Sequence, residues 1–204
     1  MNKHVIYLIR HASPRYPLDA LGRRLVYGPT AELADEGKLQ SVRLAHRIRQ
    51  REARPLDILI TSPYTRAAQT AAILSREIGI HTIAKDDRLR DTHSTWEGVL
   101  IDKFLSVFTE GKTFDDPRTL ETVEALGTRM KAAYDEILLR FEGKNIGIVS
   151  HGDPLRALWF RLFNPQGSYP PYPVLTNMVS LDTAQSMRIE RNQDGSIEPK
   201  IELI

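Results

Sequence analysis

The chain has 204 residues, of which 28 are Lys or Arg and 26 are Asp or Glu, so its formal net charge is only +2. This balance argues against a nucleic-acid-binding protein, which usually carries a strong basic bias. Because there is no cysteine, disulfides, thiolate metal sites and a cysteine nucleophile are excluded. The apolar run at the N-terminus is too short for a signal peptide, and no stretch approaches the ~20 apolar residues of a membrane helix. We therefore expect a cytoplasmic protein with neither a membrane nor a nucleic-acid partner.

Short apolar runs rich in β-branched residues alternate with helical patterns along the chain. The runs predict strands at residues 5–9, 57–61, 81–84, 146–150, 178–182 and 186–190, the last two pairing with each other. Helical spacing predicts helices at residues 35–52, 65–79, 120–144 and 154–163. The stripe of the first helix that is expected to face the core contains Leu39, Val42, Ala45 and Ile48.

Apolar strands that alternate with helices predict an α/β fold. We expect a three-layer sandwich, in which helices flank a mostly parallel central sheet, and a single domain over residues 1–204. The proline-rich segment 164–175 is expected to be a loop. Two further irregular stretches, 13–34 and 97–118, are long for a compact α/β domain, and such loops often carry function.

Three of the predicted strands are followed by side chains that suit a phosphate group. Arg10 and His11 follow the first strand, Arg66 lies in the segment "SPYTRA" after the second, and His151 and Gly152 follow a later one. A parallel sheet brings these ends to one edge, where ligands of such folds bind. Paired arginines favour a phosphate dianion, and a neutral histidine beside them can attack phosphorus and carry the phosphoryl group.

A departing alkoxide also needs a proton, which a carboxylic acid commonly supplies. The segment "RLRDTHSTWEG" offers Asp91 as the candidate and Glu97 as its rival. Taken singly, each of these residues is more typical of a structural position: a hydrogen-bonded histidine, half of an ion pair, a solvated loop acid. Their joint occurrence at three strand ends favours phosphoryl chemistry.

The same segments resemble the motifs of the histidine phosphatase, or phosphoglycerate mutase-like, superfamily. Its Arg-His-Gly appears here as "RHA", its Ser-Pro-x-x-Arg-Ala-x-x-Thr-Ala as "SPYTRAAQTA", and its Ser-His-Gly as "SHG", in the same order. Weaker similarities are Gly37 and Gln40 in "LADEGKLQSVRLA", and Glu121 followed eight residues later by Arg129. The resemblance covers the chain from about residue 5 to about residue 162.

The resemblance implies a role for each matching residue. His11 would be the phosphorylated nucleophile, and Asp91, which stands where the family usually has glutamate, would be the acid and base. The second histidine, His151, would act with Arg10 and Arg66 in binding the phosphoryl group and stabilising its transition state. Other substrate-binding candidates are Gly152, Ser13 and Arg15. Ala12 replaces the usual glycine after the nucleophile.

The resemblance further implies a metal-independent enzyme without a cofactor, acting on a small-molecule phosphomonoester as a histidine acid phosphatase-type phosphomonoesterase. The chain is shorter than those of the mutases in the family, which favours the phosphatase branch. Two alternatives stay open: a phosphoglycerate mutase-like phosphoryl transferase, and a non-catalytic module that binds phosphate. A metallohydrolase that uses both histidines ranks lower, because the sequence lacks a compact ligand motif. Neither the natural substrate nor the oligomeric state can be read from the sequence.

Overall fold

The computed structural model describes residues 4–52, 54–192 and 202–203, the last two by their backbone alone. The strands of this part are β1 (His4–Arg10), β2 (Ile58–Thr61), β3 (Ile83–Lys85), β4 (Ile146–Ser150), β5 (Ser186–Arg191) and β6 (Glu202–Leu203). Its α-helices are α1 (Asp35–Arg51), α2 (Thr65–Ile78), α3 (Ile101–Thr109), α4 (Val123–Arg140), α5 (Gly152–Phe163) and α6 (Tyr172–Met178). A 3₁₀ turn spans Asp87–Leu89.

The strands form one sheet in the order β3-β2-β4-β1-β5-β6. The first four run parallel to one another, whereas β5 is antiparallel to β1. In the register of β1 and β4, Arg10 lies opposite Ser150. Because these are the last residues of both strands, His11 and His151 leave the sheet side by side at its carboxyl edge. The predicted mostly parallel α/β architecture is confirmed.

Alternation along β1 divides the core into two layers. Ile6 and Leu8 pack with α4 and α5 on one face of the sheet, while Tyr7 and Ile9 pack with α1 and α2 on the other. Successive strand residues point to opposite faces, and burying one such aliphatic side chain stabilises the fold by about 1.5–3 kcal/mol. The predicted three-layer arrangement is therefore confirmed.

The strand predicted at residues 178–182 is wrong. Met178 is the last residue of α6, the residues after it are irregular, and β5 pairs with β1 and β6. The carbonyls of this irregular segment bond to side chains instead of a neighbouring strand: Leu181 accepts from Arg10, and Val179 accepts from Arg156. Its apolar side chains pack in the core, which explains the strand-like pattern.

Two other expectations need correction. The proline-rich segment 164–175 contains the start of α6, where Pro173 occupies the first turn, a position that tolerates proline. The stripe of α1 was also misjudged, because Leu39 is 53% exposed whereas Leu44, Ala45 and Ile48 are buried. Within the described residues, none of the helices has the length and hydropathy required to cross a bilayer.

Candidate active site

A cavity of about 190 Å³ opens at the carboxyl edge of the sheet. Its floor comes from the end of β1 and the start of α5, and its walls come from α3, the segment after the 3₁₀ turn and the first long loop. The lining residues are Arg10, His11, Val26, Tyr27, Asp91, Thr92, Ser94, Phe104, Phe108, Gly152, Asp153 and Arg156. The volume is below the ~300–1,000 Å³ of pockets for drug-sized ligands, so the cavity suits a small molecule.

His11 is held in one orientation and one tautomer. Its side chain is buried, and its Nδ1 lies 2.8 Å from the carbonyl oxygen of Ala12. A carbonyl only accepts hydrogen bonds, so Nδ1 carries the proton. The other nitrogen, Nε2, accepts from Nε of Arg66 at 3.2 Å. The lone pair of His11 Nε2 therefore faces the guanidinium group on which an anion would bind.

His151 has the opposite tautomer. Its Nδ1 accepts from Nη2 of Arg66 at 3.0 Å, so Nε2 carries the proton and donates to Oγ of Ser62 at 2.9 Å. The ring centroids of the two histidines are 5.0 Å apart, in an edge-to-face arrangement. Ser62 lies just before α2, which begins at Thr65 as predicted. Its hydroxyl fixes the orientation of the second histidine.

Arg66 connects the groups of the site. Its side chain is buried, and it donates to both histidines, to the carbonyl of Gly28 at 3.1 Å and to Oδ2 of Asp91 at 2.7 Å. Tyr27 and Tyr64 place their rings 4.8 Å and 5.2 Å from its guanidinium carbon. Such cation–π contacts stabilise a desolvated arginine. The guanidinium is therefore fixed in place before any ligand arrives.

Both histidines are kept uncharged. Burial is the largest cause of the lowered pKa of His11, which lies well below its ordinary value of 6.5, and the charges of His151, Arg66 and Arg10 lower it further. Burial followed by the charges of Arg66 and Arg10 likewise holds the pKa of His151 well below 6.5. Since a protonated imidazole has no free lone pair, these shifts keep His11 nucleophilic at neutral pH.

Arg10 supplies a second guanidinium group to the cavity. Its Nη1 donates to the carbonyl of Leu181 at 2.7 Å, while its buried Nε has no hydrogen-bond partner among the described residues. A Cβ at Gly152 would lie 3.3 Å from the guanidinium carbon of Arg10, so glycine leaves room for this close approach. An unpartnered donor at the start of α5 suits an anionic ligand.

Asp91 reaches the cavity from the segment that follows the 3₁₀ turn. Its Oδ2 lies 2.7 Å from Arg66 and 3.4 Å from Nδ1 of His151. Arg129, which pairs with both oxygens of Glu121, donates to the carbonyls of residues 88, 90 and 91. Glu121 and Arg129, which the sequence analysis had singled out, therefore hold in place the segment that carries Asp91.

The structure does not bring every candidate to the cavity. Ser13 is turned away, with its Oγ 2.9 Å from Oγ1 of Thr183, and Arg15 is exposed. Glu97 is also exposed, packs against Gly28 and lines a neighbouring pocket together with Arg66. Of the two rival carboxylates, Asp91 alone contacts a histidine among the described residues.

Sequence reasoning did not foresee the contacts of several residues of the site. Ser62 accepts from His151, the rings of Tyr27 and Tyr64 lie against Arg66, and Asp153 and Arg156 line the cavity. The last two lie one and four residues after Gly152, which was the available signal. No group of three or more His, Cys, Asp or Glu within the described parts of the chain is arranged to hold a metal ion.

A neutral imidazole lone pair, two guanidinium groups and a carboxylate in one cavity can bind a phosphoryl dianion, accept it covalently and move a proton. Comparison with known proteins agrees with this chemistry. The family model described as histidine phosphatase superfamily (branch 1) matches residues 6–191. Phosphoserine phosphatase 1 of Hydrogenobacter thermophilus is 24% identical over 165 residues, which are 77% of this chain and 75% of that protein.

Two further similarities cover a comparable share of the chain. The probable phosphoglycerate mutase GpmB of Serratia proteamaculans is 28% identical over 164 residues, which are 75% of this chain and 72% of that protein. Among solved structures, Bacillus stearothermophilus YhfR superimposes with a TM-score of 0.77 at 25% identity, covering 98% of this chain and 96% of that one. The similarity therefore extends over most of the fold.

Proposed function

Because the chain belongs to branch 1 of the histidine phosphatase superfamily, we propose that it hydrolyses small phosphomonoesters through a phosphohistidine on His11. One observation carries the proposal: the Nε2 lone pair of His11 faces Arg66 inside the cavity, while its Nδ1 proton is bound by the Ala12 carbonyl. A nucleophile that is already desolvated and oriented avoids most of the entropic cost of an encounter in solution.

In the first step, Nε2 of His11 attacks phosphorus as the bond to the alcohol oxygen breaks. Arg10 and Arg66 bind the equatorial oxygens through charge-assisted hydrogen bonds. A phosphoryl dianion favours the protonated form of His151, because an opposite charge stabilises the imidazolium. Its Nδ1–H then becomes a third donor, while Ser62 holds Nε2.

Asp91 moves the proton in both steps. As a carboxylic acid it protonates the departing alcohol, and as a carboxylate it deprotonates the water that attacks phosphohistidine and releases phosphate. Its position, 3.4 Å from His151, favours Asp91 over the exposed Glu97 for this role. No step of this scheme requires a metal ion or a cofactor.

The test is hydrolysis of p-nitrophenyl phosphate in the presence of EDTA by the wild type, His11→Ala and a control, His46→Ala. The control removes an imidazole whose side chain is 52% exposed on α1. We expect turnover by the wild type and the control and none by His11→Ala. Equal rates in all three would refute the mechanism. A stable phosphohistidine without turnover would favour the mutase alternative, and phosphate binding without phosphorylation would favour the binding module.

A further inference from the structure

One part of the cavity takes no role in the mechanism above. Asp153, Arg156 and Thr92 line it, and Tyr172 donates to Asp153 without lining the cavity itself; we refer to these four as the leaving-group subsite. The three lining residues share the cavity with His11, and because the alcohol leaves phosphorus on the side opposite the attacking nitrogen, we assign this part of the lining to the leaving group.

The charged groups of the subsite are held in a fixed network. Nη1 of Arg156 donates to Oδ1 of Asp153 at 2.9 Å, and Nε of the same arginine donates to the carbonyl of Val179 at 3.0 Å. The hydroxyl of Tyr172 donates to the same Oδ1 at 2.5 Å. Both charged side chains are largely buried. The network leaves little freedom for either group to swing toward a different ligand.

The same network leaves polar atoms of these two lining residues without a hydrogen-bond partner among the residues described. Within the described part of the chain, Oδ2 of Asp153 and Nη2 of Arg156 have no hydrogen-bond partner. The buried Oγ1 of Thr92 is also unpartnered there. A buried polar atom without a partner destabilises the protein unless a ligand or water completes it. The subsite therefore offers an acceptor on Asp153, a donor on Arg156 and a hydroxyl on Thr92. These groups can hydrogen-bond to an alcohol that carries further hydroxyl groups.

The charge of the cavity decides between a neutral and an acidic leaving group. Asp153 pairs with Arg156, and Asp91 pairs with Arg66. Among the described residues Arg10 has no ion-pair partner, and together with the protonated His151 of the mechanism above it offsets the two charges of the phosphoryl dianion. A second anion on the substrate would then approach the carboxylate of Asp153, whose partner Arg156 is already neutralised by it, and like charges in such a site oppose binding.

Two phenylalanines complete the subsite. Phe104 and Phe108 of α3 line the same cavity, and Phe108 packs edge-to-face against the ring of Tyr172 at 5.7 Å. Aromatic faces bind carbon skeletons without adding charge. From these observations we infer that the enzyme takes phosphomonoesters of neutral alcohols that carry further hydroxyl groups, and that it discriminates against alcohols that carry a carboxylate. This inference rests on the phosphomonoesterase function proposed above.

The experiment uses a matched pair of substrates, glycerol 3-phosphate and 3-phosphoglycerate, which differ only in a CH₂OH group against a carboxylate. For the wild-type chain we expect kcat/KM to be about tenfold or more higher for glycerol 3-phosphate, as one unfavourable charge contact implies. Asp153→Asn keeps the shape of the network and removes the negative charge. In this variant the ratio should fall about tenfold, while Asp135→Asn, a change at an exposed position of α4, should leave it unchanged.

A wild-type ratio of one or less, with p-nitrophenyl phosphate still hydrolysed, would overturn the inference and leave the proposed function intact. Loss of all hydrolysis would instead refute the proposed function. Calorimetric binding of both ligands to His11→Ala then tests the subsite without turnover: a tighter Kd for glycerol 3-phosphate supports it, and equal or reversed affinities overturn it. If Asp153→Asn fails to fold, the wild-type ratio and the binding data still decide the question.

Discussion

Exchanging His11 for glutamine removes one of two buried imidazoles whose pKa the fold holds well below 6.5. In the unfolded chain each imidazole takes up a proton near its ordinary pKa, whereas in the folded protein it does not. As the pH falls, the unfolded state therefore binds more protons than the folded state does. The free energy of unfolding is highest above about pH 6.5 and decreases below it. The decline continues until the pH reaches the lowered pKa of the folded state.

The size of the effect follows from the same relation. Between about pH 7.5 and about pH 5.5, one imidazole that stays neutral in the fold lowers the free energy of unfolding by about 1.4 kcal/mol. Two such groups, His11 and His151, lower it by about 2.8 kcal/mol. This is a large share of the ~5–15 kcal/mol that stabilises a typical domain. Because carboxylates titrate below this pH window, the histidines dominate the pH dependence of the free energy of unfolding within it.

The assay is urea denaturation at several pH values in this window, for the wild type, His11→Gln and the control His46→Gln, whose imidazole is half exposed. The wild type and the control should lose about 2.8 kcal/mol across the window and His11→Gln about half of that. A His11→Gln protein with the same pH slope as the wild type would refute the conclusion that His11 is buried in its neutral form.

Three further predictions concern the acid, the second histidine and the packing of α1. Asp91→Asn should lower kcat for glycerol 3-phosphate by about 10²–10⁴-fold, whereas Glu97→Gln should change kcat less than about twofold. Equal losses of kcat in the two variants, measured in steady-state assays, would contradict the choice of Asp91 as the acid. Ser62→Ala leaves the buried Nε2–H of His151 without an acceptor, so it should reduce the free energy of unfolding by about 1–3 kcal/mol and kcat about tenfold. Ser62→Thr should restore both, and an unchanged kcat in Ser62→Ala would argue against a positioning role. Gly37→Ala places a methyl group against the backbone of the loop after β1, so thermal unfolding should show a free energy of unfolding lower by about 1–3 kcal/mol. The control is Leu39→Ala at an exposed position of the same helix, and equal melting temperatures of Gly37→Ala and the wild type would contradict the contact.

The sequence predicted the centre of the site because that centre depends on topology. Once β1 and β4 are parallel neighbours, the residues that follow them must meet at one edge, so His11 and His151 could be paired without knowledge of any side-chain contact. The predicted α/β sandwich followed from the same alternation of apolar runs and helical patterns. These features depend on periodicity and connection order, which a single sequence records well.

Other features depend on contacts between distant residues, which periodicity does not record. The apolar run at residues 178–182 looked like a strand, yet its carbonyls bond to Arg10 and Arg156 from other elements. Ser13 was a substrate-binding candidate, but its hydroxyl lies 2.9 Å from that of Thr183, 170 residues further along the chain. Asp153 was not predicted at all, because its contacts are with the arginine one helical turn away and with a tyrosine from α6.

The most direct test of the account is to look for the phosphoenzyme itself. Wild-type protein would be mixed with a phosphomonoester for less than one turnover, quenched in alkali, which preserves phosphohistidine, and digested for mass spectrometry. The account predicts a phosphoryl group on His11, its absence in His11→Ala, and its loss when turnover is allowed to finish. Hydrolysis that proceeds with no phosphorylated histidine, or with the phosphoryl group on another residue, would contradict it.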